Sequence, residues 1–175
     1  MSMLSRFPAV ALALVISSGT GSAQSPNLGR PAAPEETAAW DISIGPDGAG
    51  LPPGSGTPRQ GEAVYIAKCV ACHGEKGAGK PNDALVGGRG TLGDPTPLKT
   101  VGSFWPYGTT LFDYVRRAMP LNESKSLSND EVYAVVAYLL RLNDIIGDND
   151  TISAETLPKI TMPNADGFAP FARGK

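Results

Sequence analysis

The chain has 175 residues, of which 15 are Lys or Arg and 17 are Asp or Glu, so its formal net charge is −2 at neutral pH. This length indicates one domain with appendages, and the slight excess of acid excludes the basic signature of a nucleic-acid-binding protein. Only two cysteines and one histidine are present, which limits the metal and disulfide sites that the chain can build.

The first 23 residues have the pattern of an export signal. Arg6 precedes an apolar stretch at residues 7–16, and small residues lead to a cleavage site after Ala23. The apolar stretch is too short for a membrane span, and no later apolar run approaches that length. We therefore expect a soluble periplasmic protein without a membrane span after cleavage, with an uncleaved anchor as the alternative.

A leader rich in Pro, Gly and Ala follows over residues 24–56, and this composition predicts turns. Within the leader, residues 40–44 alternate between apolar and polar side chains, which predicts a short extended strip against the domain. The string Thr-Pro-Arg-Gln at residues 57–60 is a capping box with proline at the first helical position. It predicts a first helix over residues 57–71.

The rest of the chain predicts two more helices and two irregular stretches. Residues 74–110 are punctuated by Gly and Pro, and so long a loop is rare in a compact domain unless it serves a function such as packing on a cofactor. A second helix is predicted over Thr110–Ala118. A third follows the capping box at Ser128 and shows helical spacing of apolar residues as far as Asn143. Residues 144–175 show no periodicity, so they either wrap the domain or bind another chain.

The string Cys69-Val-Ala-Cys72-His73 is the attachment pattern of c-type haem. Residues three and four apart share one face of a helix, so both thiols can add to the haem vinyl groups while the imidazole reaches the iron. A zinc site would need four ligands, a thioredoxin-like pair would need a β-α-β pattern, and a plain disulfide would not need the histidine. We therefore expect one covalent haem c held by Cys69, Cys72 and His73.

The second axial ligand must come from another residue type, because His73 is the only histidine. A thioether is the natural choice. Met119, at the end of the second helix, is favoured over Met162 in the tail; an open sixth position is the remaining alternative, and either methionine could simply fill space in the core. Trp105 and Tyr107 precede the second helix and are candidate cofactor-binding residues, with core packing as the alternative.

The order of a capped helix ending in CVACH, a Gly-rich loop, Met119-Pro120 and a last capped helix resembles class I cytochrome c over residues 57–143. This resemblance implies an all-α fold in which the N- and C-terminal helices cross around the haem, with irregular extensions at both ends. It also implies that Gly61, Tyr65 and Tyr138 lie where the two helices meet.

A narrower resemblance covers residues 40–168. It rests on four strings: WDISIGPDGAGLPPGSG, KTVGSFWPYGTTLFDYVRRAMP, SLSNDEVYAVVAYLL and MPNADGF. These resemble the cytochrome subunits of bacterial sulfur-compound dehydrogenases, including the Sox sulfur dehydrogenase and sulfite dehydrogenases. The single haem motif departs from the Sox subunit, in which two domains are common, and so makes a sulfite dehydrogenase partner at least as attractive.

This resemblance implies that the chain takes electrons from a molybdenum-containing dehydrogenase and passes them to a downstream cytochrome or oxidase, without turning over a substrate by itself. Two alternatives are a general periplasmic shuttle to a terminal oxidase or reductase, and a haem enzyme or gas-binding sensor with an open site. The predicted division of the chain is a signal peptide at 1–23, a leader at 24–56, a cytochrome c domain at 57–143 and a C-terminal extension at 144–175.

Overall fold

The computed structural model describes residues 28–168, so the predicted signal peptide lies outside the described residues. The helices in this range are α1 (Pro34–Ala38), α2 (Pro58–Lys68), α3 (Val70–His73), α4 (Gly108–Ala118) and α5 (Asn129–Leu142). Two short strands, β1 (Ser55–Gly56) and β2 (Ile152–Ser153), pair antiparallel. Single 3₁₀ turns lie at Glu75–Gly77, Thr91–Gly93 and Leu157–Lys159. The chain divides into two units, one ending at Ala39 and containing α1, the other beginning at Trp40.

Both predicted capping boxes are confirmed, and they explain where α2 and α5 begin. The Thr57 hydroxyl accepts from the Gln60 N–H at 3.4 Å, and the Gln60 side chain accepts from the Thr57 N–H at 2.9 Å. At α5, the Glu131 carboxylate accepts from the Ser128 N–H at 2.8 Å. Each box satisfies N–H groups that the first helical turn leaves without partners.

Helices α2 and α5 cross in close contact, as the resemblance to class I cytochrome c implies. A Cβ at Gly61 would collide with the backbone carbonyl of Ala134, so only glycine lets the two helix backbones approach this closely. One turn along, the rings of Tyr65 and Tyr138 pack with their centroids 5.4 Å apart. Every residue of α5 from 132 to 140 is buried, which makes this helix the centre of the mostly helical fold.

The described part of the C-terminal tail packs on the helices. Ile152, Leu157 and Met162 are all at most 2% exposed. Ile152 pairs with Gly56 in the small sheet, and the Asn164 amide donates to the Phe104 carbonyl at 2.8 Å. These three buried tail residues therefore belong to the hydrophobic core. The domain boundaries drawn from the sequence stay a prediction.

The predicted extended strip at residues 40–44 is only partly in contact with the core. Ile44 is buried, but Trp40 is 83% exposed and no strand forms there. Because alternation alone does not supply a partner strand, the segment runs as irregular chain. The second helix begins at Gly108, two residues before the predicted start, and the predicted long loop is present with only two 3₁₀ turns between residues 74 and 107.

Candidate functional site

The motif with two cysteines and one histidine lies at a break between two helices. The sequence predicted one continuous helix to residue 71, but α2 ends at Lys68 and Cys69 leaves the helical region with φ −121° and ψ −33°. Helix α3 begins at once, and the Cys69 carbonyl accepts from the N–H groups of Cys72 and His73 at 3.1 and 3.0 Å. This single tight turn holds the three side chains of the motif together.

The two cysteines differ in exposure: Cys69 is half-buried and Cys72 is exposed. Burial, and to a smaller extent the neighbouring Cys72, raises the pKa of the Cys69 thiol to about 11.

The imidazole of His73 is oriented by a backbone carbonyl. Its Nδ1 lies 2.9 Å from the carbonyl oxygen of Asp83. A carbonyl only accepts, so the hydrogen bond assigns the proton to Nδ1 and leaves Nε2 as the nitrogen with a free lone pair. This arrangement of a ligand histidine and an outer hydrogen-bond acceptor is common at metal centres.

A cavity of about 350 Å³ adjoins the motif. Both cysteines and the histidine line it, and most of its other walls are apolar or aromatic. The lining residues include Tyr65, Cys69, Cys72, His73, Ala84, Leu85, Val101, Trp105, Leu111, Tyr114, Val115, Met119, Leu121, Leu127, Val135 and Leu139. Burial raises the pKa of Tyr65 to about 12, so its neutral hydroxyl donates to the Gly74 carbonyl at 2.8 Å.

The two candidate methionines occupy different places. Met119 follows α4 and lines the cavity. Met162 is 2% exposed within the hydrophobic core and is absent from the cavity lining.

The two aromatic candidates, Trp105 and Tyr107, also occupy different places. Trp105 lines the cavity, whereas Tyr107 lies outside it and is 42% exposed at the start of α4. The aromatic neighbour of Trp105 on the cavity wall is instead Tyr114, with ring centroids 5.6 Å apart. The sequence carried a signal for Tyr114, since it follows Leu111 by three residues on the same face of a helix. It carried none for the Asp83 carbonyl, because every residue has one.

The donor set of the cavity fits haem c. Two thiols are present for the two vinyl groups, together with an imidazole whose Nε2 is free and a thioether on the same cavity. Thioether and imidazole are an established pair of axial ligands in cytochromes c.

Within residues 28–168, no helix is both long enough and apolar enough to cross a membrane.

Comparisons with known proteins agree with this site. Residues 56–139 match the family described as cytochrome c oxidase, cbb3-type, subunit III. A chain of the sulfane dehydrogenase SoxCD from Paracoccus pantotrophus has 44% identity and a TM-score of 0.78; the match covers 84% of this chain and 73% of that one. The thiosulfate dehydrogenase of Allochromatium vinosum is 34% identical over 83 residues, which is 46% of this chain and 29% of that protein.

The chain thus spans less than a third of the length of that curated relative. Its similarity to the SoxCD chain is broader, because it includes most of both chains at an identity that shows common ancestry. The fold, the motif and both matches are consistent with one another. The chain belongs to the cytochrome c family, which implies haem c as its cofactor and electron transfer as its chemistry.

Proposed function

We propose that this chain is a periplasmic monohaem cytochrome c. It accepts electrons from a molybdenum-containing sulfite or other sulfur-compound dehydrogenase and passes them to a downstream cytochrome or oxidase. The observation that carries the proposal is that both thiols, the only imidazole of the chain and a thioether line the same cavity. By itself the chain turns over no substrate.

Four side chains hold the cofactor in this proposal. Cys69 and Cys72 would form the two covalent links, and His73 and Met119 would be the two protein ligands of the iron. When bound, haem supplies an iron ion that changes between the ferric and ferrous states and so stores one electron. Met119 is preferred to Met162 because only Met119 lines the cavity.

The surrounding residues fix the properties of the site. The Asp83 carbonyl holds the proton on His73 Nδ1 and therefore keeps Nε2 available as the ligand atom. Apolar walls that include Trp105, Val101 and Leu139 exclude water and lower the local dielectric constant, and both effects tune the reduction potential.

The exposed part of the cavity lining offers a route for electrons to a partner. Cys72 and Leu121 line the cavity and are exposed, Leu121 by 73%. Lys68 and Lys99 also line the cavity, and Lys68 forms an exposed ion pair of 3.0 Å with Glu123. We assign the approach of both electron partners to the exposed residues Cys72 and Leu121.

The sulfur-compound donor is supported by the names of the two relatives, a sulfane dehydrogenase and a thiosulfate dehydrogenase. The periplasmic location is supported by the export signal in residues 1–23. The division into a leader at 24–56, a cytochrome domain at 57–143 and an extension at 144–175 is part of the same proposal.

The first test is the haem content of the full chain, produced in a host that carries the cytochrome c maturation machinery. We expect one haem per chain that survives denaturation, measured by mass spectrometry and by haem absorbance. The Cys69→Ala, Cys72→Ala double variant is the matched control and should carry no covalent haem. A wild-type chain without covalent haem under these conditions refutes the proposal.

The second test concerns the donor. The oxidised protein is mixed with sulfite or thiosulfate, with and without periplasmic extract of the source organism, and haem reduction is followed optically. Reduction only with active extract supports an upstream sulfur-compound dehydrogenase, and heated extract is the control. No reduction in an extract that demonstrably oxidises sulfite and thiosulfate refutes the dedicated-partner part of the proposal and leaves a general carrier.

A further inference from the structure

The side chain of Asn143 ties the end of α5 to the long loop between α3 and α4. Asn143 is 5% exposed. Both the nitrogen and the oxygen of its side-chain amide form hydrogen bonds. Its Nδ2 donates to the carbonyl of Leu85 at 3.1 Å and to that of Leu139 at 2.9 Å. Its Oδ1 accepts from the N–H of Gly87 at 3.2 Å. One buried amide thus holds two backbone groups of the loop that lie 58 and 56 positions away in the chain.

The same loop segment carries the hydrogen-bond partner of the candidate ligand His73. The Asp83 carbonyl that accepts from His73 Nδ1 lies only two residues before Leu85. Leu85 is fixed at both ends, since its N–H donates to the Gly77 carbonyl at 2.8 Å while its own carbonyl accepts from Asn143. The Leu85 carbonyl also accepts from the Val101 N–H at 3.3 Å. Asn143 therefore contributes the side-chain hydrogen bonds that help to set the position of the Asp83 carbonyl.

A second buried side chain also holds this segment at Gly87. The Thr100 hydroxyl donates to the Gly87 carbonyl at 2.6 Å, and Thr100 is 2% exposed. Gly102, two residues after Thr100, packs directly against the Asn143 amide, because a Cβ at Gly102 would collide with Asn143 Oδ1. Segment 83–87 is accordingly held by both Asn143 and Thr100, and residues 83–85 border the cavity, as does Thr100 itself.

We propose that Asn143 is a positioning residue for the haem ligand: it holds segment 83–87 so that the Asp83 carbonyl accepts from His73 Nδ1. This inference rests on the proposed function, because it takes His73 as an axial ligand. A hydrogen bond to the outer nitrogen fixes the plane of the imidazole and makes it a stronger electron donor to the metal. Stronger donation favours the ferric state, so loss of the bond raises the reduction potential.

The cap that Asn143 provides to α5 does not by itself explain this arrangement. Capping needs only the bond to Leu139, whereas the bonds to Leu85 and Gly87 reach a distant loop. If Asn143 served only the stability of the fold, replacing it would lower the free energy of unfolding without changing the hydrogen bond of His73 Nδ1. The two roles are therefore separable by experiment.

The experiment compares the reduced full-length holoprotein with Asn143→Leu, Thr100→Val and Asn164→Leu. The exchange rate of the His73 Nδ1 proton is measured by NMR, where the single histidine of the chain gives an unambiguous signal, and the reduction potential is measured by titration. Asn164→Leu is the matched control, because its amide also clamps a distant carbonyl, that of Phe104, but on a segment not bonded to His73. Stability of each variant is measured in parallel.

We expect Asn143→Leu to exchange this proton about tenfold faster, which corresponds to about 1.4 kcal/mol, and to have a higher reduction potential. Thr100→Val should shift both quantities in the same direction by less, and Asn164→Leu should leave both unchanged. Wild-type exchange and potential in Asn143→Leu would overturn the inference, as would an equal shift in Asn164→Leu. If Asn143→Leu does not fold, an unchanged Thr100→Val overturns it. A wild-type chain without haem refutes the proposed function before any variant is made, and the inference falls with it.

Discussion

Replacing each of the two candidate methionines by leucine tests the axial ligand directly. Met119→Leu and Met162→Leu are the same chemical change, and exchanges of similar volume between apolar residues usually cost less than about 1.5 kcal/mol. For a chain of this size a loss of 1 kcal/mol lowers the melting temperature by about 2–4 °C. Met162 is 2% exposed in the core and Met119 is half-buried, so the loss of stability that comes from packing should be at least as large for Met162→Leu.

The effect on the haem should be confined to Met119→Leu. Only Met119 lines the cavity, so Met119→Leu should remove the thioether ligand and open a coordination position. We expect the ferrous Met119→Leu protein to bind one carbon monoxide per haem, whereas wild type and Met162→Leu bind none. The reduction potential should fall in Met119→Leu alone, because a Met/His ligand pair raises it.

The assay is an optical titration of the reduced protein with carbon monoxide, with potentials measured on the same samples. A Met119→Leu protein that binds no carbon monoxide would show that the reasoning from the cavity is wrong. Carbon monoxide binding by Met162→Leu instead would assign the ligand to the tail. Binding by the wild-type protein would indicate an open site and favour an enzyme or sensor over a carrier.

Three further predictions concern the fold that holds the site. Gly61→Ala should lower the free energy of unfolding, measured by urea denaturation, by about 1–3 kcal/mol, because its Cβ would collide with the backbone of α5. The control Gly93→Ala, whose Cβ would enter open space, should lower it by less than about 0.5 kcal/mol. Equal losses in the two variants would contradict the close helix crossing. Leu157→Ala, at 1% exposure, should cost about 2–5 kcal/mol if the tail belongs to the core, and a loss below 1 kcal/mol would argue against it. Ser128→Ala should cost about 1 kcal/mol. Hydrogen bonds from the Ser128 N–H and hydroxyl to the Glu131 carboxylate lower the pKa of Glu131. The carboxylate therefore stabilises the fold above the unfolded pKa, and this contribution is lost as pH falls through the lower folded pKa. A Glu131→Ala deficit that persists unchanged at acid pH would refute the assignment.

The sequence by itself determined the features that depend on neighbours in the chain. Two capping boxes located the starts of α2 and α5 because their hydrogen bonds span only three residues. The spacing of Cys69, Cys72 and His73 pointed to haem for the same reason, since a single turn brings the three side chains together. The close crossing at Gly61 was likewise anticipated, though from a family resemblance rather than from periodicity.

Only the tertiary structure decided which distant groups meet. Met119 and Met162 both precede a proline, and the sequence favoured Met119 because it ends the second helix. Only the structure shows that Met119 borders the cavity while Met162 fills the core. The tail has no helical period, because its buried residues Ile152, Leu157 and Met162 are separated by turns. The Asp83 carbonyl and the Asn143 amide have no sequence signature, since the contacts that give them meaning join positions 10 and 58 residues apart. Such contacts exist only once the long loop has folded against the helices.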